Sequence, residues 1–459
     1  MRDLRKWAED NFGSLDLGDA RRNQRALEIG EALAASSGKS LPKSMGKWSA
    51  LVAAYRLFSC GEATMGAILE PHLLRTREEI GCGRGDHLLI EDTTELDFTG
   101  HPGVTGLGRT GDGRGRGAYL HCTLGLRILG GSGAKPDTEV LGLADVREWV
   151  RTGPTRHGHE TRTQRNKRAK ETDRWGRSTL LAERPLEGRL IYVADRESDN
   201  YEVLADRLPE GIDFVLRANQ ARKTSSGGTV FEAVRAGKTQ GSLPVELDSR
   251  GGRSARTATL QILSAAVRIL PPMRIPARQK RPLDINVVEA HEVGAPPGAE
   301  PLRWVLLTSL PVSTREQCEH IIGIYRQRWQ IEEFFKCLKS GTKAEESQLR
   351  SWEALSALVA FLLVIAVRLL CLKKDARHDA WPKDAELPDE RLIAYLRHKT
   401  GSPNPAASPR NFLRAIAMLG GFIGRKSDGD PGWLLIWRGT LESLAFLNAL
   451  DFLQRESPA

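Results

Sequence analysis

The chain has 459 residues and no C-x-x-C pair. Its six cysteines, Cys60, Cys82, Cys122, Cys318, Cys337 and Cys371, are scattered. That scatter fits neither a zinc site nor a disulfide framework, and it suits a reducing cytoplasm. The opening residues, MRDLRKWAEDNFG, lack the apolar core of a secretory signal. Only one long apolar run is present, Ala354 to Leu372. Arg368 interrupts it and leaves about 14 clean residues, too few to span a bilayer. A buried core helix is expected there, and no membrane partner. There is no internal repeat.

A dinucleotide site is also excluded. Gly106-x-Gly108-x-x-Gly111 has the right glycines, but that fingerprint must follow a strand and open a helix. Here more glycines and the strand-like AYLHCTLGL come next. Arg109, Arg114 and Arg116 make this loop a candidate for contact with DNA. His157-Gly158-His159 reads as a solvated loop rather than a metal pair.

What the chain does have is positive charge. The net charge is +9. Arg156 to Arg177 carries eight Arg or Lys against three acids, and Arg274 to Arg281 carries four cations and no acid. Either run can be a solvated face, but polyphosphate contact is the leading functional alternative.

Residues 1–70 read as helices, with Leu17-Gly18-Asp19 as a cap and Ser37-Gly38-Lys39-Ser40 as a loop. Arg21, Arg22, Arg25, Lys39, Lys43 and Lys47 make this region basic, as a small helical DNA-binding domain would be. HLLIEDTTELDF, AYLHCTLGLRIL and TEVLGLADV predict an antiparallel meander. RLIYVADRESD and DFVLRA predict two more strands. Residues 218–300 predict a mostly β insertion, and residues after 372 predict helices around a proline-rich loop. At this length two to four domains are expected, or one core with large additions.

The most specific pattern is Tyr325-x-x-Arg328-x-x-x-Glu332-x-x-x-x-x-x-Lys339. On one continuous helix these four side chains fall within about 60° of one another, and Lys336 joins the same stripe. Ile331, Phe334, Phe335 and Leu338 form the opposite, apolar face. The bland reading is an amphipathic surface helix laced with ion pairs. The functional one is a carboxylate that holds a divalent metal while the cations hold a phosphate backbone. Such chemistry needs further acids. Asp92 follows the apolar run Leu88 to Ile90, and Asp195 follows Leu190 to Ala194. Two neighbouring strands would bring them to one sheet edge, with Glu332 alongside. Glu91, Glu95 and Asp97 compete for the first place; Glu197 and Asp199 compete for the second. Three such carboxylates suit a pair of Mg²⁺ ions, with Mn²⁺ as a substitute, for displacement at phosphorus.

LGDARRNQR, SGKS, EDTTEL, ADRESD, FVLR, WVLLTSLPV, YRQRWQIEEFFKCLKSG and GGFIGRK, in this order, resemble the DDE transposases of the insertion-sequence-four family over nearly the full length. The resemblance implies an α/β fold: a ribonuclease-H-like mixed sheet core with a mostly β insertion, flanked by N-terminal and C-terminal helical domains. The implied boundaries are 1–70 for DNA-end binding, 71–372 for the catalytic core with its 218–300 insertion, and 373–459 for dimerisation. It implies Asp92, Asp195 and Glu332 as catalytic metal ligands. It implies that Tyr325, Arg328, Lys336, Lys339 and Arg217 hold the transposon-end strand, and that Trp304 stacks on a flipped base. Arg21, Arg22, Arg25 and Lys39 match basic end-binding positions, but Ala35 and Ser36 depart from the relative. The expected activity is cut-and-paste transposition. A homodimer in a synaptic complex would cleave double-stranded DNA ends through a hairpin and join them to target DNA. The rivals are a catalytically silent or inhibitory DNA-binding derivative, and a nuclease or recombinase that cuts without joining.

Overall fold

Strand β1 (His87–Asp97) lies at the centre of the molecule, and its first five residues are all buried. A run covered on both faces belongs inside a sheet rather than at its edge. The computed structural model describes residues 4–151, 174–207, 211–247, 256–273, 280–381, 387–425 and 428–456. His157, His159, most of the basic run from Arg156 and most of the run from Arg274 to Arg281 lie outside the described residues.

The other strands are β2 (Gly108–Thr110), β3 (Gly115–Ser132), β4 (Lys135–Trp149), β5 (Leu190–Ala194), β6 (Asp213–Arg217), β7 (Lys238–Leu247), β8 (Arg256–Ile269), β9 (Leu283–Val293) and β10 (Arg303–Thr308). All ten belong to one sheet, ordered β2-β3-β1-β5-β6-β10-β9-β8-β7, with β4 on the outside of β3. The expected meander is β1-β3-β4, antiparallel throughout. β1, β5 and β6 run parallel. The strands of the 218–300 segment do not form a separate layer. β9 pairs along β10, so β7 to β9 extend the central sheet. A short helix, Val230–Arg235, closes that end with a Thr229–Glu232 capping box.

Helices cover the sheet. α1 (Leu4–Phe12), α2 (Ala20–Ala35), α3 (Leu41–Met45), α4 (Trp48–Phe58) and α5 (Met65–Gly81) form the N-terminal part. Asp19 caps α2 through the backbone N–H groups of Arg21 and Arg22. The apolar run after Ser351 is one helix, Trp352–Asp375, buried over most of its length. It is long and apolar enough to cross a membrane, yet 83% of its most apolar stretch is packed inside the protein. Phe361 on it meets Phe12 at 5.0 Å and Phe58 at 6.3 Å, so the N-terminal helices share its core. Helices Glu390–Thr400, Pro409–Leu419 and Trp433–Glu456 form a separate C-terminal cluster around Leu396, Phe412 and Ile416.

One junction joins these layers. The Ser37-Gly38 loop reaches the turn that ends at Gly341: the Ser37 hydroxyl donates to the Gly341 carbonyl at 3.5 Å. The Trp437 indole N–H, from the C-terminal cluster, donates to the Ser37 carbonyl at 3.2 Å. Gly38 has φ 78°. A Cβ there would lie 2.9 Å from the Gly341 carbonyl oxygen, so both conformation and space call for glycine.

Candidate active site

β1 and β5 stay in parallel register from His87↔Leu190 to Glu91↔Ala194. The next residues are Asp92 and Asp195. Neighbouring strands are about 4.8 Å apart, so the two aspartates sit side by side, Asp92 within β1 and Asp195 just beyond the end of β5. Each is held by a backbone N–H. Thr93 N–H donates to Asp92 Oδ1 at 2.7 Å, and Glu197 N–H donates to Asp195 Oδ1 at 2.8 Å.

Glu332 comes from the third direction. Helices Arg315–Gln327 and Trp329–Lys336 run almost continuously through Arg328, whose backbone is itself helical. A π turn, Cys337–Gly341, comes next and carries Lys339. The single α-helical stripe expected from the spacing is therefore broken before its last member. A π turn inserts one extra residue per turn and re-aims the residues beyond it. Arg328 is only 9% exposed and reaches both acids: Nη1 to Asp92 Oδ2 at 3.3 Å and Nη2 to Glu332 Oε1 at 2.6 Å. As placed, this guanidinium pairs with both carboxylates.

Burial pushes the Asp92 carboxyl up to about 7; the neighbouring charges of Asp195 and Glu332 push the same way, against the Thr93 N–H and Arg328. Asp195 and Glu332 thus both lie close enough to act on Asp92. The rival acids are otherwise engaged. Glu91 alternates to the other side of β1 and is buried there among His121, Ser178, Gly176, Tyr192 and Thr123. Burial alone would raise its carboxyl, but the hydrogen bonds from these partners hold it below the usual range. Glu95 accepts the Gly111 N–H and Asp97 caps Thr99. Asp199 is saturated by Arg222 and the N–H groups of Asn219 and Gln220.

The remaining sequence candidates fall into two sets. Tyr325 is 3% exposed and Trp304 is 8% exposed; their rings meet edge-on at 6.0 Å. Neither the phenol nor the indole faces solvent in this conformation. The apolar flanks of Trp304 on β10 pack it into the core here. The cations are more open. Lys336 pairs with Glu333 at 2.5 Å and Lys339 with Glu345 at 3.6 Å. Arg217 donates to the Arg303 carbonyl at 3.2 Å. Arg21 and Lys39 are exposed. Arg22 pairs with Glu62 at 3.2 Å and Arg25 with Glu28 at 2.6 Å.

Three family descriptions match the chain: Transposase DNA-binding over residues 4–62, Transposase DDE domain over 148–368, and Transposase Tn5 dimerisation domain over 364–457. The chain belongs to the Tn5-like DDE transposases. A cryo-EM structure of a piggyBac transposase synaptic complex with hairpin DNA is 12% identical, covering 92% of this transposase and 76% of that chain at a TM-score of 0.36. Asp195, Arg328 and Glu332 lie within the DDE match, whereas Asp92 lies between the first two matches.

Members of this transposase family use divalent ions. Among the described residues no group of three His, Cys, Asp or Glu is gathered into a ready cage. The donors at this edge are nevertheless all hard carboxylate oxygens, which suit Mg²⁺. Burial, and after it the charges of Asp195 and Glu332, lift Asp92, and a bound cation would favour its ionised form. Sequence reasoning missed the supporting groups, His121, Thr93 and Arg174. Arg174 closes an undescribed basic run and looked like one more solvated cation; no spacing signals His121.

Proposed function

We propose that this transposase cleaves and joins DNA at the sheet edge where Asp92, Asp195 and Glu332 meet. The observation that carries the reading is the parallel register of β1 and β5, with Arg328 tying Asp92 to Glu332. The core would then be ribonuclease-H-like, with residues 1–70 and 373–459 as end-binding and dimerising units. When bound, one or two Mg²⁺ ions, or Mn²⁺, would supply the positive charge that phosphoryl transfer requires. Asp92, Asp195 and Glu332 would hold them. The Thr93 and Glu197 N–H groups orient the two aspartates, and Arg328 balances their charge before metal arrives. Lys336, Lys339 and Arg217 would steady the phosphates of the cleaved strand, with Arg21, Arg22, Arg25 and Lys39 on the terminal repeat. Two protomers would synapse two ends. Hairpin formation for the second strand is the family expectation carried into this reading.

The deciding experiment uses DNA carrying the inverted repeats that flank the gene. Asp92→Ala, Asp195→Ala and Glu332→Ala should each abolish Mg²⁺-dependent cutting and leave end binding intact. Cutting retained in any variant removes that residue from the site. If the parent protein binds but never cuts, the enzyme reading falls in favour of a silent DNA-binding derivative.

A further inference from the structure

Behind the proposed acids runs a chain of hydrogen bonds whose proton order can be assigned. Arg174 is 12% exposed. It donates Nε–H to Thr93 Oγ1 at 3.0 Å and Nη2–H to Glu197 Oε2 at 3.2 Å. Its guanidinium also lies over the rings of Trp149 and Trp175, at 5.2 and 5.3 Å. Thr93 Oγ1 lies 2.9 Å from His121 Nδ1. His121 Nε2 faces Glu91 Oε2 at 3.4 Å, and an ionised carboxylate only accepts, so Nε2 carries the proton of the neutral ring. Nδ1 is then the acceptor, and the Thr93 hydroxyl donates to it while accepting from Arg174. The sequence Glu91, His121, Thr93, Arg174, Glu197 is then satisfied donor to acceptor at every link.

The ends of the Arg174 span are the significant part. Thr93 and Glu197 are the two residues whose backbone N–H groups hold Asp92 and Asp195. One guanidinium therefore links the side chains of both aspartate-orienting residues, Thr93 within β1 and Glu197 on the turn after β5. Its rigid fork sets a distance that a single ammonium would not. Glu91 fixes the rear of the assembly, accepting from the Gly176 N–H at 2.7 Å two residues after Arg174.

We propose that Arg174 is a positioning residue that sets the spacing of Asp92 and Asp195, held from behind the sheet by Thr93, His121 and Glu91. This rests on the reading of the two aspartates as metal ligands. Groups that orient ligands are typically worth about 10–100-fold in metal affinity.

The test measures Mn²⁺ binding to the full chain from the free-ion electron paramagnetic resonance signal, with thermal unfolding and binding to sheared duplex DNA recorded beside it. Arg174→Met should weaken Mn²⁺ binding about tenfold with little change in DNA affinity, and Arg174→Lys should restore part of it. Thr93→Val keeps the backbone N–H on Asp92 and removes only the hydroxyl link. It should reproduce the loss, and it decides the matter if Arg174→Met does not fold. Mn²⁺ isotherms that match the parent in Arg174→Met or, should that variant not fold, in Thr93→Val overturn the proposal, provided Asp92→Asn loses binding. If Asp92→Asn also binds as the parent does, the metal reading itself has failed and this proposal falls with it. A loss of DNA affinity alone would make Arg174 a strand contact and likewise overturn it.

Discussion

Replacing Asp92 by Asn should make the metal-free protein more stable, and increasingly so as pH rises. The Asp92 carboxyl titrates near 7 in the fold, against an ordinary value of 3.8. The folded protein thus holds an extra proton between those values. Its contribution to stability is full below about pH 4 and is lost as pH climbs through 7. Between pH 5 and pH 8 the loss spans about two pH units, or close to 3 kcal/mol at 1.36 kcal/mol per unit. At roughly 2.1 cal/mol/K of unfolding entropy per residue, that is about 3 °C if the whole chain melts together. Asn keeps the shape and an acceptor but never ionises, so it escapes this loss. Melting curves in a chelating buffer at pH 5, 6, 7 and 8 should show the Asn variant gaining on the parent by about this amount. Excess Mg²⁺ should reduce the gap, since a bound cation favours the ionised acid. A melting difference that does not change with pH would refute the reasoning, because Asp92 would then carry no shifted proton.

Trp304→Ala should cost about 3–5 kcal/mol, because it empties a buried aromatic site against Tyr325; chemical denaturation would measure it, and unchanged stability would mean the ring is not core. Lys339→Ala should weaken duplex DNA binding and reduce the slope of log affinity against log salt by about one. An unchanged slope would take Lys339 off the phosphates.

Strand positions were legible because their causes are local. Leu88 to Ile90 and Leu190 to Ala194 are apolar runs ended by acids, and both became central strands. That these runs would be parallel neighbours is a long-range fact, and local pattern could only pose it as a condition. The rivalry between Asp92 and Glu91 was also beyond the sequence. Strand alternation separates them, but which side faces the helix carrying Glu332 depends on packing. The stripe from Tyr325 to Lys339 assumed an unbroken helix, and no residue in KCLKSG announces a π turn. For Trp304 the resemblance implied stacking on a base; in this structure its ring is 8% exposed and packs against Tyr325. The resemblance gave Arg328 to the DNA strand; its two carboxylate partners here are Asp92, 236 residues away in sequence, and Glu332, one turn on, and only the second is a local contact.

The knot formed by Ser37, Gly38, Gly341 and Trp437 means that three stretches far apart in sequence cannot shift independently. A side chain forced in at Gly38 would press on the turn that carries Lys339 and tug at the C-terminal cluster through Ser37. Such a lesion would be misfiled by anyone mapping defects along the gene: a fault at the front of the chain would surface as poor cutting or poor pairing of protomers. Equally, a load placed on Lys39 would have a direct mechanical line to the turn that carries Lys339.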